Sequence, residues 1–246
     1  MTWLPEPKNV LAVHEELVHV FAADNDPISP PGVKSPDLLE SACARPRTAL
    51  GSVEKYPSLA EKMAALFHSL TKNHAFHNGN KRTALVTLLS ALHRNDHHLI
   101  STVTDDHVYD LVVSVTADEF PTKGHGLSLD QVVQELASWI RAHMRRTDPR
   151  LSGMTIKQFI QRCEQAGARS KSVKGGSISI LNGNASIKLS KATRKLDGPA
   201  ISRYLKMLNL GESQAGLLPE EFRAGASPER QQIYKYITAL RRLAKT

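Results

Sequence analysis

The first part of the chain repeats one pattern, in which apolar residues lie three and four positions apart, as on one face of an α-helix. This pattern predicts helices in residues 8–22 and in the segments LLESACARP, SLAEKMAALFHSLTKNH, DDHVYDLVVSVTA and SLDQVVQELASWIRAHM. The segment TALVTLLSALHRN is apolar on almost all sides, which indicates a central, fully buried helix. No alternating strand pattern precedes residue 150. The first part is therefore predicted to be an all-α bundle.

The last part of the chain shows a different pattern. MTIKQFIQRCEQAGA is amphipathic and ends at a glycine, which predicts a helix. Two short alternating runs, SISIL and ASIKL, flank Asn182 and Gly183, a dipeptide typical of hairpin turns. Two further helices are predicted in GPAISRYLKMLNLG and in the basic segment SPERQQIYKYITALRRLAKT. The predicted order of elements is α-β-β-α-α, a small α+β domain.

Charge divides the chain at the same place as the hydrophobic pattern. The formal net charge is +8, but acidic and basic residues roughly balance as far as about residue 140, and bases dominate beyond it. The change coincides with the segment RRTDPRLSGM, which is rich in residues that interrupt helices and strands. We therefore predict two domains, residues 1–147 and residues 148–246, the second one basic.

Composition limits the cellular setting. No run approaches the roughly 18 apolar residues of a membrane span, and the segment MTWLPEPKNV lacks the basic-then-apolar order of a signal peptide. Cys43 and Cys163 lie far apart and have neither metal-ligand nor redox spacing. These features predict a reduced, cytoplasmic protein without a membrane partner. The positive charge favours polyanionic partners.

The segment NHAFHNGNKRTAL concentrates small, cationic and titratable residues just before the predicted central helix. A helix N-terminus leaves about four backbone N–H groups unpaired and carries partial positive charge, so it can bind a phosphate. Gly79 allows the backbone to approach a ligand, and Asn78 and Asn80 tolerate unusual backbone angles. Lys81 and Arg82 would lie in the first helical turn and add full charges. These residues predict an anion-binding loop, with an ordinary polar turn as the alternative.

Two further residues of the segment suggest catalysis. His74 is a candidate general base, because histidine is the side chain that most often takes that role in enzymes. Phe76, two residues later, would anchor the loop in the core. The combination favours a catalytic loop over a plain turn.

The segment HAFHNGNKRTAL resembles the signature of the Fic/Doc superfamily, His-x-Phe-x-(Asp/Glu)-Gly-Asn-x-Arg. The resemblance extends over residues from about 5 to about 145 and includes the helix SPDLLESACARP and the helix before His74. It implies a mainly α fold, an all-helical bundle of the Fic/Doc type followed by the small basic α+β domain.

The resemblance also implies a mechanism, because family members transfer a phosphate-containing group from a nucleotide to a target hydroxyl. By analogy, His74 would take the proton of the hydroxyl. Gly79 and Asn80 would line the anion hole, and Arg82 would hold a phosphate. The implied cofactors are ATP, or another nucleoside triphosphate, and Mg²⁺.

Two positions favour the Doc branch of the superfamily. Adenylylating Fic enzymes usually carry a glycine and a second arginine where this chain has Lys81 and Leu85. Resemblance to Doc toxins implies a kinase of a toxin–antitoxin or phage-defence system. It would transfer the γ-phosphate to a protein such as elongation factor Tu, inhibit translation and arrest growth. Adenylyl transfer is the alternative reaction.

Restraint of the predicted enzyme would come from another molecule or domain. The chain contains no Ser/Thr-x-x-x-Glu segment followed by Gly or Asn, the sequence of the family's inhibitory helix. We therefore expect a separate antitoxin, or restraint by the second domain. The segment GSVEKYPS falls where the family has a flap that docks the target, with a plain loop as the alternative.

Asn78 departs from the family pattern. Family members have an acidic residue at this position that helps to hold Mg²⁺, whereas an amide oxygen can bind the metal but brings no charge. Asn78 is therefore a weak metal candidate. The alternative is a protein that has lost catalysis and serves as a nucleic-acid-binding or regulatory module.

The second domain faintly resembles HicA-like and double-stranded-RNA-binding folds. Its first predicted strand, GSISIL, lacks the histidine of HicA toxins, so RNA cleavage by that route is not expected. Six basic residues are candidate RNA contacts, with a solvated surface as the alternative. They are Lys171, Lys174, Lys188, Lys191, Arg194 and Lys195.

Overall fold

A computed structural model describes residues 2–123, 126–147, 153–173, 175–210, 222 and 228–246. Its contacts divide the chain into two compact units. The first comprises Met1–Arg146 and Glu229–Thr246, and the second comprises Thr147–Pro228. Each unit has a hydrophobic core of its own.

The first unit is mainly helical, which confirms the predicted fold class. Ser58 begins one of its helices with the capping box expected from sequence, because its backbone N–H donates to Glu61 Oε2 at 2.8 Å. A single 3₁₀ turn, Arg45–Arg47, follows the second helix. The α-helices are α1 (Pro7–Val20), α2 (Pro36–Ala44), α3 (Leu59–Lys72), α4 (Asn80–Arg94), α5 (Asp105–Thr116) and α6 (Leu129–His143).

Helix α4 lies at the centre of this unit. Every side chain from Arg82 to Leu92 is buried, and α4 packs against α1, α3 and α5. A helix surrounded on all sides needs apolar or small residues on every face, which explains the almost continuous apolar run in its sequence.

The first unit also contains short strands, so the prediction of no strand before residue 150 is wrong. β1 (Ala49–Leu50) and β2 (Val53–Glu54) form one antiparallel pair. β3 (His97–Leu99) and β4 (Met144–Arg146) form another. Strands of two or three residues are too short for an alternating pattern to be visible in the sequence.

The second unit contains these helices and strands among its described residues: β5 (Met154–Thr155), α7 (Ile156–Gln165), β6 (Arg169–Val173), β7 (Ser177–Asn182), β8 (Ala185–Ser190), β9 (Lys195–Leu196) and α8 (Gly198–Met207). The helices pack on a three-stranded antiparallel sheet, in the order β6-β7-β8. Two residues, Gly183 and Asn184, join β7 to β8, and Gly183 has the positive φ (56°) that such turns require. A short pair, β5 and β9, precedes α7 and α8 respectively.

The sequence missed β6 and β9, so the predicted α-β-β-α order is corrected to four strands between α7 and α8, of which β6, β7 and β8 form one sheet. Strand β6 has the sequence RSKSV, in which Val173 is the one apolar residue. A strand with polar side chains on both faces gives no alternating signal. Its pairing with β7 is therefore visible in the structure and not in the sequence pattern.

The end of the sequence also corrects the predicted domain of residues 148–246. It forms α9 (Pro228–Lys235) and α10 (Ile237–Leu243), and Glu229–Thr246 belongs to the first unit. Ala239, Leu240 and Leu243 join the first hydrophobic core, and α10 packs on α5. The basic character of this segment suggested the second domain, but its apolar face determines where it packs.

Ion pairs reinforce this packing of the last two helices. Arg94 pairs with Glu229 at 3.1 Å, and Arg241 pairs with Asp24 at 2.9 Å. A further pair joins Arg242 of α10 to α5. The final helices are thus part of the first unit by burial and by charge.

None of the helices among the described residues is long and apolar enough to cross a membrane. Cys43 lies in the first core and Cys163 in the second, and both are free thiols. Burial raises the pKa of Cys43 to about 11 and that of Cys163 to about 12. Both thiols are therefore protonated at neutral pH.

Candidate active site

The loop between α3 and α4 is folded by Asn80. Its side-chain amide accepts from the backbone N–H of Phe76 at 2.9 Å and donates to the backbone carbonyl of Phe76 at 2.8 Å. These two bonds use both ends of the amide. The side chain of Asn80 therefore shapes the loop, and its backbone N–H is the group that can face an anion.

Phe76 holds the loop to the core, as the sequence suggested, and His14 of α1 holds Phe76. Phe76 is 2% exposed, and its ring stacks on that of His14 with 4.2 Å between centroids. His14 Nε2 accepts from the backbone N–H of Gly32, so Nδ1 carries the proton and donates to Thr83 Oγ1. Burial, with a smaller contribution from the charge of Arg82, lowers the pKa of His14 to about 4.

The sequence did not indicate the role of His14. A lone histidine on a helix face carries no motif, and its contacts lie 18 and 69 positions away along the chain. Its histidine-to-phenylalanine stack links α1 to the loop, which makes His14 a positioning residue.

Gly79 lets the chain turn into α4. It has a left-handed conformation (φ 75°) and stands at the N-cap of the helix, where no side chain caps the first turn. A Cβ at this position would lie 2.9 Å from Ile28 Cδ1. The unpaired N–H groups of the first turn therefore stay available, which is the arrangement that binds anions at helix N-termini.

Lys81 and Arg82 lie in the first turn of α4, but their environments differ. Lys81 is partly exposed, and its Nζ donates to Thr246 Oγ1 at 3.1 Å. Desolvation lowers the pKa of Lys81. Arg82 is 2% exposed, donates to the carbonyl of Asp26 at 3.1 Å and lies 5.1 Å from the centre of the Phe21 ring. Arg82 is thus a buried cation with partners inside the protein, and its contact with a phosphate stays a prediction.

A cavity of about 200 Å³ lies over the loop. It is bordered by His74, by residues 77–82 and by Leu243, Ala244 and Thr246 of the final segment. His74 is exposed at its rim, with a positive φ of 49° that is unusual for a residue with a side chain. The loop residues predicted from sequence, except Phe76, thus border one cavity. No feature of the sequence indicated that the final segment would border it as well.

The loop fits a protein-held metal poorly. Asn78 Oδ1 accepts from the backbone N–H of Gly79 at 2.6 Å, and Asn78 Nδ2 donates to the carbonyl of Ser29 at 2.9 Å. The one ligating oxygen of Asn78 therefore already accepts a hydrogen bond, and it carries no charge. Among the residues that the structure describes, no group of three or more His, Cys, Asp or Glu could hold a metal ion. The described donors do not match the carboxylates that usually bind Mg²⁺.

The segment GSVEKYPS contributes to a hairpin formed by β1 and β2. Two apolar residues of this hairpin stand in solvent, Leu50 at 89% exposure and Val53 at 70%. Exposed apolar side chains beside a short strand pair are suited to docking an extended peptide.

The six candidate RNA contacts do not form one cluster. Lys171 and Lys188 lie in one cross-strand row, one on each side of Ser179. Lys174 lies outside the described residues. Three others follow β8: Lys191 donates its backbone N–H to the carbonyl of Gly176, Arg194 precedes β9, and Lys195 is in β9. Arg169, absent from the predicted set, joins Lys171 and Lys188 on the same sheet face.

The first unit is thus mainly helical, and its loop residues border a cavity at the uncapped N-terminus of a buried helix. The family model described as "Fic/DOC family" matches residues 3–92, which contain α1–α3, the loop and most of α4. "Toxin Doc" of Mycolicibacterium smegmatis is 36% identical over 110 residues, which are 45% of this chain and 79% of that protein. The chain belongs to the Fic/DOC family, which confirms the resemblance read from the loop.

Proposed function

We propose that the protein is a Doc-like, toxin-type phosphotransferase, which moves the γ-phosphate of a nucleoside triphosphate to a hydroxyl of a protein. Family membership supports a transferase in general. The observation that carries the proposal is the first turn of α4, which has no side-chain cap behind a left-handed Gly79. Lys81 and Arg82 both border the same cavity, where Lys81 is partly exposed and Arg82 is buried.

In the proposed reaction, the hydroxyl oxygen of the target attacks the γ-phosphorus. A new P–O bond forms, the bond from the γ-phosphorus to the bridging oxygen breaks, and a nucleoside diphosphate leaves. His74, exposed at the rim of the cavity, takes the proton of the hydroxyl. The N–H groups of the first turn and Lys81 stabilise the charge on the transferred group.

Phosphoryl transfer is favoured over adenylyl transfer by two positions of α4. Lys81 stands where adenylylating relatives usually have glycine, and its side chain borders the cavity. Leu85 stands where they usually have a second arginine, and it is fully buried. α4 therefore supplies no second arginine at this position. Instead, it supplies Lys81 to the cavity, where adenylylating relatives usually have no side chain.

The proposed target is a translation factor, with elongation factor Tu as the first candidate, and the proposed outcome is growth arrest in the cytoplasm. The exposed apolar residues Leu50 and Val53 of the β1–β2 hairpin are suited to docking the target segment. A separate antitoxin is the proposed regulator, as a partner of a toxin-type protein. The proposed nucleotide is ATP, and no step above depends on Mg²⁺, which the described donors fit poorly.

The proposal can be tested by labelling. Cell extract and purified protein are incubated with a nucleoside triphosphate labelled either at the γ-phosphate or at the α-phosphate. Label on a protein hydroxyl from the γ-position alone is expected. Label from the α-position would show nucleotidyl transfer and overturn phosphoryl transfer.

His77 provides a matched control for His74. Both are exposed histidines of the same loop and both border the cavity. His74→Ala is expected to abolish labelling and growth arrest, because a positioned general base contributes roughly 10²- to 10⁴-fold to the rate. His77→Ala is expected to retain both. Equal loss in the two variants would exclude a specific role for His74.

One observation favours a second candidate, a Fic-fold protein that has lost catalysis and acts as a nucleic-acid-binding or regulatory module. Asn78 replaces the acidic residue of the family pattern, and its amide is bound to Gly79 and Ser29. Under this reading, wild type and His74→Ala would affect growth equally, and neither would label a target.

A further inference from the structure

The sheet of the second unit has one face that its helices leave exposed. Ser170 donates to Glu164 of α7, and Asn182 donates to the carbonyl of Leu208 after α8, so these residues face the helices. Ile180 and Ile187, on the same side, belong to the core. The alternate residues that begin with Arg169 in β6, Ser177 in β7 and Ser186 in β8 form the opposite side, here called the outer face.

Three cations project from the outer face. Strand register puts Lys171 opposite Ser179 and Ser179 opposite Lys188, with Arg169 two residues from Lys171 on β6. All three cations are exposed. Among the residues that the structure describes, none of the three has an ion-pair partner. Their charges are therefore available to an external anion.

The segment that contains this face carries essentially all the excess charge of the protein. Residues 154–210 contain eleven Lys and Arg against two Asp and Glu, a net charge of +9, whereas the whole chain has +8. The two acids, Glu164 and Asp197, are engaged elsewhere: Glu164 accepts from Ser170, and Asp197 caps α8. None of the nine outer-face positions is acidic, and no carboxylate among the described residues of this unit forms an ion pair with these cations.

The rest of the outer face is rich in hydroxyl groups. Ser177, Ser179, Ser186 and Ser190 occupy four of the nine positions, and no position is aromatic. Proteins that bind single strands stack bases on aromatic side chains, which this face lacks. Proteins that bind double-stranded RNA contact phosphates and 2′-hydroxyl groups across a wide, shallow groove, for which cations and hydroxyls are suitable partners.

We propose that the outer face of the β6-β7-β8 sheet binds the sugar–phosphate backbone of double-stranded RNA. The cations Arg169, Lys171 and Lys188 contact phosphates, and the exposed serines Ser186 and Ser190 contact 2′-hydroxyl groups, whereas Ser179 is buried between the strands. The site is small and reads no base, so the expected affinity is that of non-specific binding, with Kd of roughly 10⁻⁴ to 10⁻⁶ M at physiological salt.

The test measures binding of the full chain to a short labelled RNA duplex by fluorescence polarisation, between about 50 and about 200 mM salt. The Lys171→Gln/Lys188→Gln variant removes two phosphate contacts. The slope of log K against log salt concentration should fall by about 2, because each lysine–phosphate contact contributes about 1. Unchanged thermal unfolding shows that the exposed substitutions leave the fold intact.

Lys157→Gln/Lys206→Gln is the matched control. Both lysines are exposed, and they lie on α7 and α8, the helices that pack on the other side of the sheet. The control changes the net charge by the same amount as the test variant. If the outer face is the site, the slope of log K against log salt concentration for the control should stay within about 0.5 of the wild-type value. An equal loss of slope in both variants would show general charge attraction and overturn the proposal.

Two further comparisons complete the test. A DNA duplex and a single-stranded RNA of the same sequence should both bind more weakly than the RNA duplex. Ser186→Ala/Ser190→Ala should reduce the preference for RNA over DNA without changing the salt slope, because a methyl group cannot bond to a 2′-hydroxyl group. Tighter binding of the single strand, equal binding of DNA, or no binding at the lowest salt would each overturn the proposal.

This inference does not depend on the proposed transferase. His74→Ala should leave RNA binding unchanged, and the two lysine substitutions should leave labelling of a protein hydroxyl unchanged. Failure of one proposal is therefore distinguishable from failure of the other.

Discussion

The two polar regions of this protein are built in opposite ways. In the loop before α4, polar side chains are bound to the main chain: Asn80 to Phe76, and Arg82 to the carbonyl of Asp26. On the outer face of the sheet, Lys171 and Lys188 stand in solvent on flexible stems. The first arrangement fixes geometry, as catalysis requires. The second supplies charge that adds up contact by contact, as backbone binding requires.

The distribution of titratable groups follows the same division. All eleven histidines lie within the first 143 residues, and the second unit has none. Its charge comes from Lys and Arg, which keep it at any physiological pH. The loop region should therefore respond to pH, and the outer face should respond to salt. Both tryptophans, Trp3 and Trp139, are in the first unit, so their fluorescence reports on that unit alone.

The largest expected effect comes from the residue that holds the loop to the core. Phe76→Ala should lower the free energy of unfolding of the first unit by about 3 to 5 kcal/mol, because it removes a buried ring and leaves a cavity. Lys171→Ala should change stability by no more than about 0.5 kcal/mol. Urea unfolding followed by tryptophan fluorescence and by circular dichroism measures both. Equal stability of the two variants would contradict the contrast between a packed loop and a solvated face.

Acid should destabilise the first unit through His14. Its pKa is about 4 in the folded protein and near 6.5 when unfolded. The unfolded chain therefore binds a proton first as the pH falls, so stability present above pH 6.5 is lost toward pH 4. Through His14 alone, the free energy of unfolding should fall by about 2 kcal/mol between pH 7 and pH 5. A protonated ring could no longer accept the N–H of Gly32.

His68 should contribute in the same direction, since burial and the charge of Arg45 lower its pKa to about 4. The measurement is urea unfolding by tryptophan fluorescence at pH 7 and pH 5. The His14→Gln variant should show a smaller difference between the two pH values than wild type. A wild-type stability that is flat over this range would refute the buried, neutral state of both histidines.

Asn78→Asp tests whether the missing carboxylate limits Mg²⁺ binding, and its expected effect on affinity is smaller. A carboxylate would add charge and a second oxygen for Mg²⁺, so we expect nucleotide to bind about tenfold more tightly in its presence, about 1.4 kcal/mol. When a chelator removes Mg²⁺, the variant should bind nucleotide more weakly than wild type, because the carboxylate would repel phosphate. Titration calorimetry measures both conditions. Asn73→Asp is the control, because Asn73 bonds to the carbonyl of Leu38 and does not border the cavity.

The smallest expected effect concerns the final segment. The cavity of about 200 Å³ is below the roughly 300–1,000 Å³ of typical small-molecule sites. Deleting Ala244–Thr246 opens it and frees Lys81 from Thr246, while the buried Leu243 remains. Nucleotide should then bind about threefold more tightly, about 0.6 kcal/mol. The control Lys245→Ala keeps the chain length and should bind nucleotide as tightly as wild type does. If the deletion variant also binds nucleotide as wild type does, the final segment does not limit access to the cavity.

Much of the first unit could be predicted because its signals are local. Each of these signals lies within one short segment of the chain. They are the helical spacing of apolar residues, the capping pair Ser58 and Glu61, and the buried run from Arg82 to Leu92. The pair of β3 and β4 could not be predicted because its strands are distant along the chain and meet only after folding. The strands β1, β2 and β6 could not be predicted because they are too short or too polar to show an alternating pattern.

The sequence by itself determined the loop of the candidate site, since Gly79 and its neighbours act through the backbone of their own segment. It also determined that the second unit is basic. Tertiary structure alone decided that His14 supports Phe76, that Arg82 is buried against Asp26, and that the final helix borders the cavity. The physical reason is that a local conformation depends on adjacent residues, whereas burial and partnership depend on which distant surfaces are complementary in shape and charge.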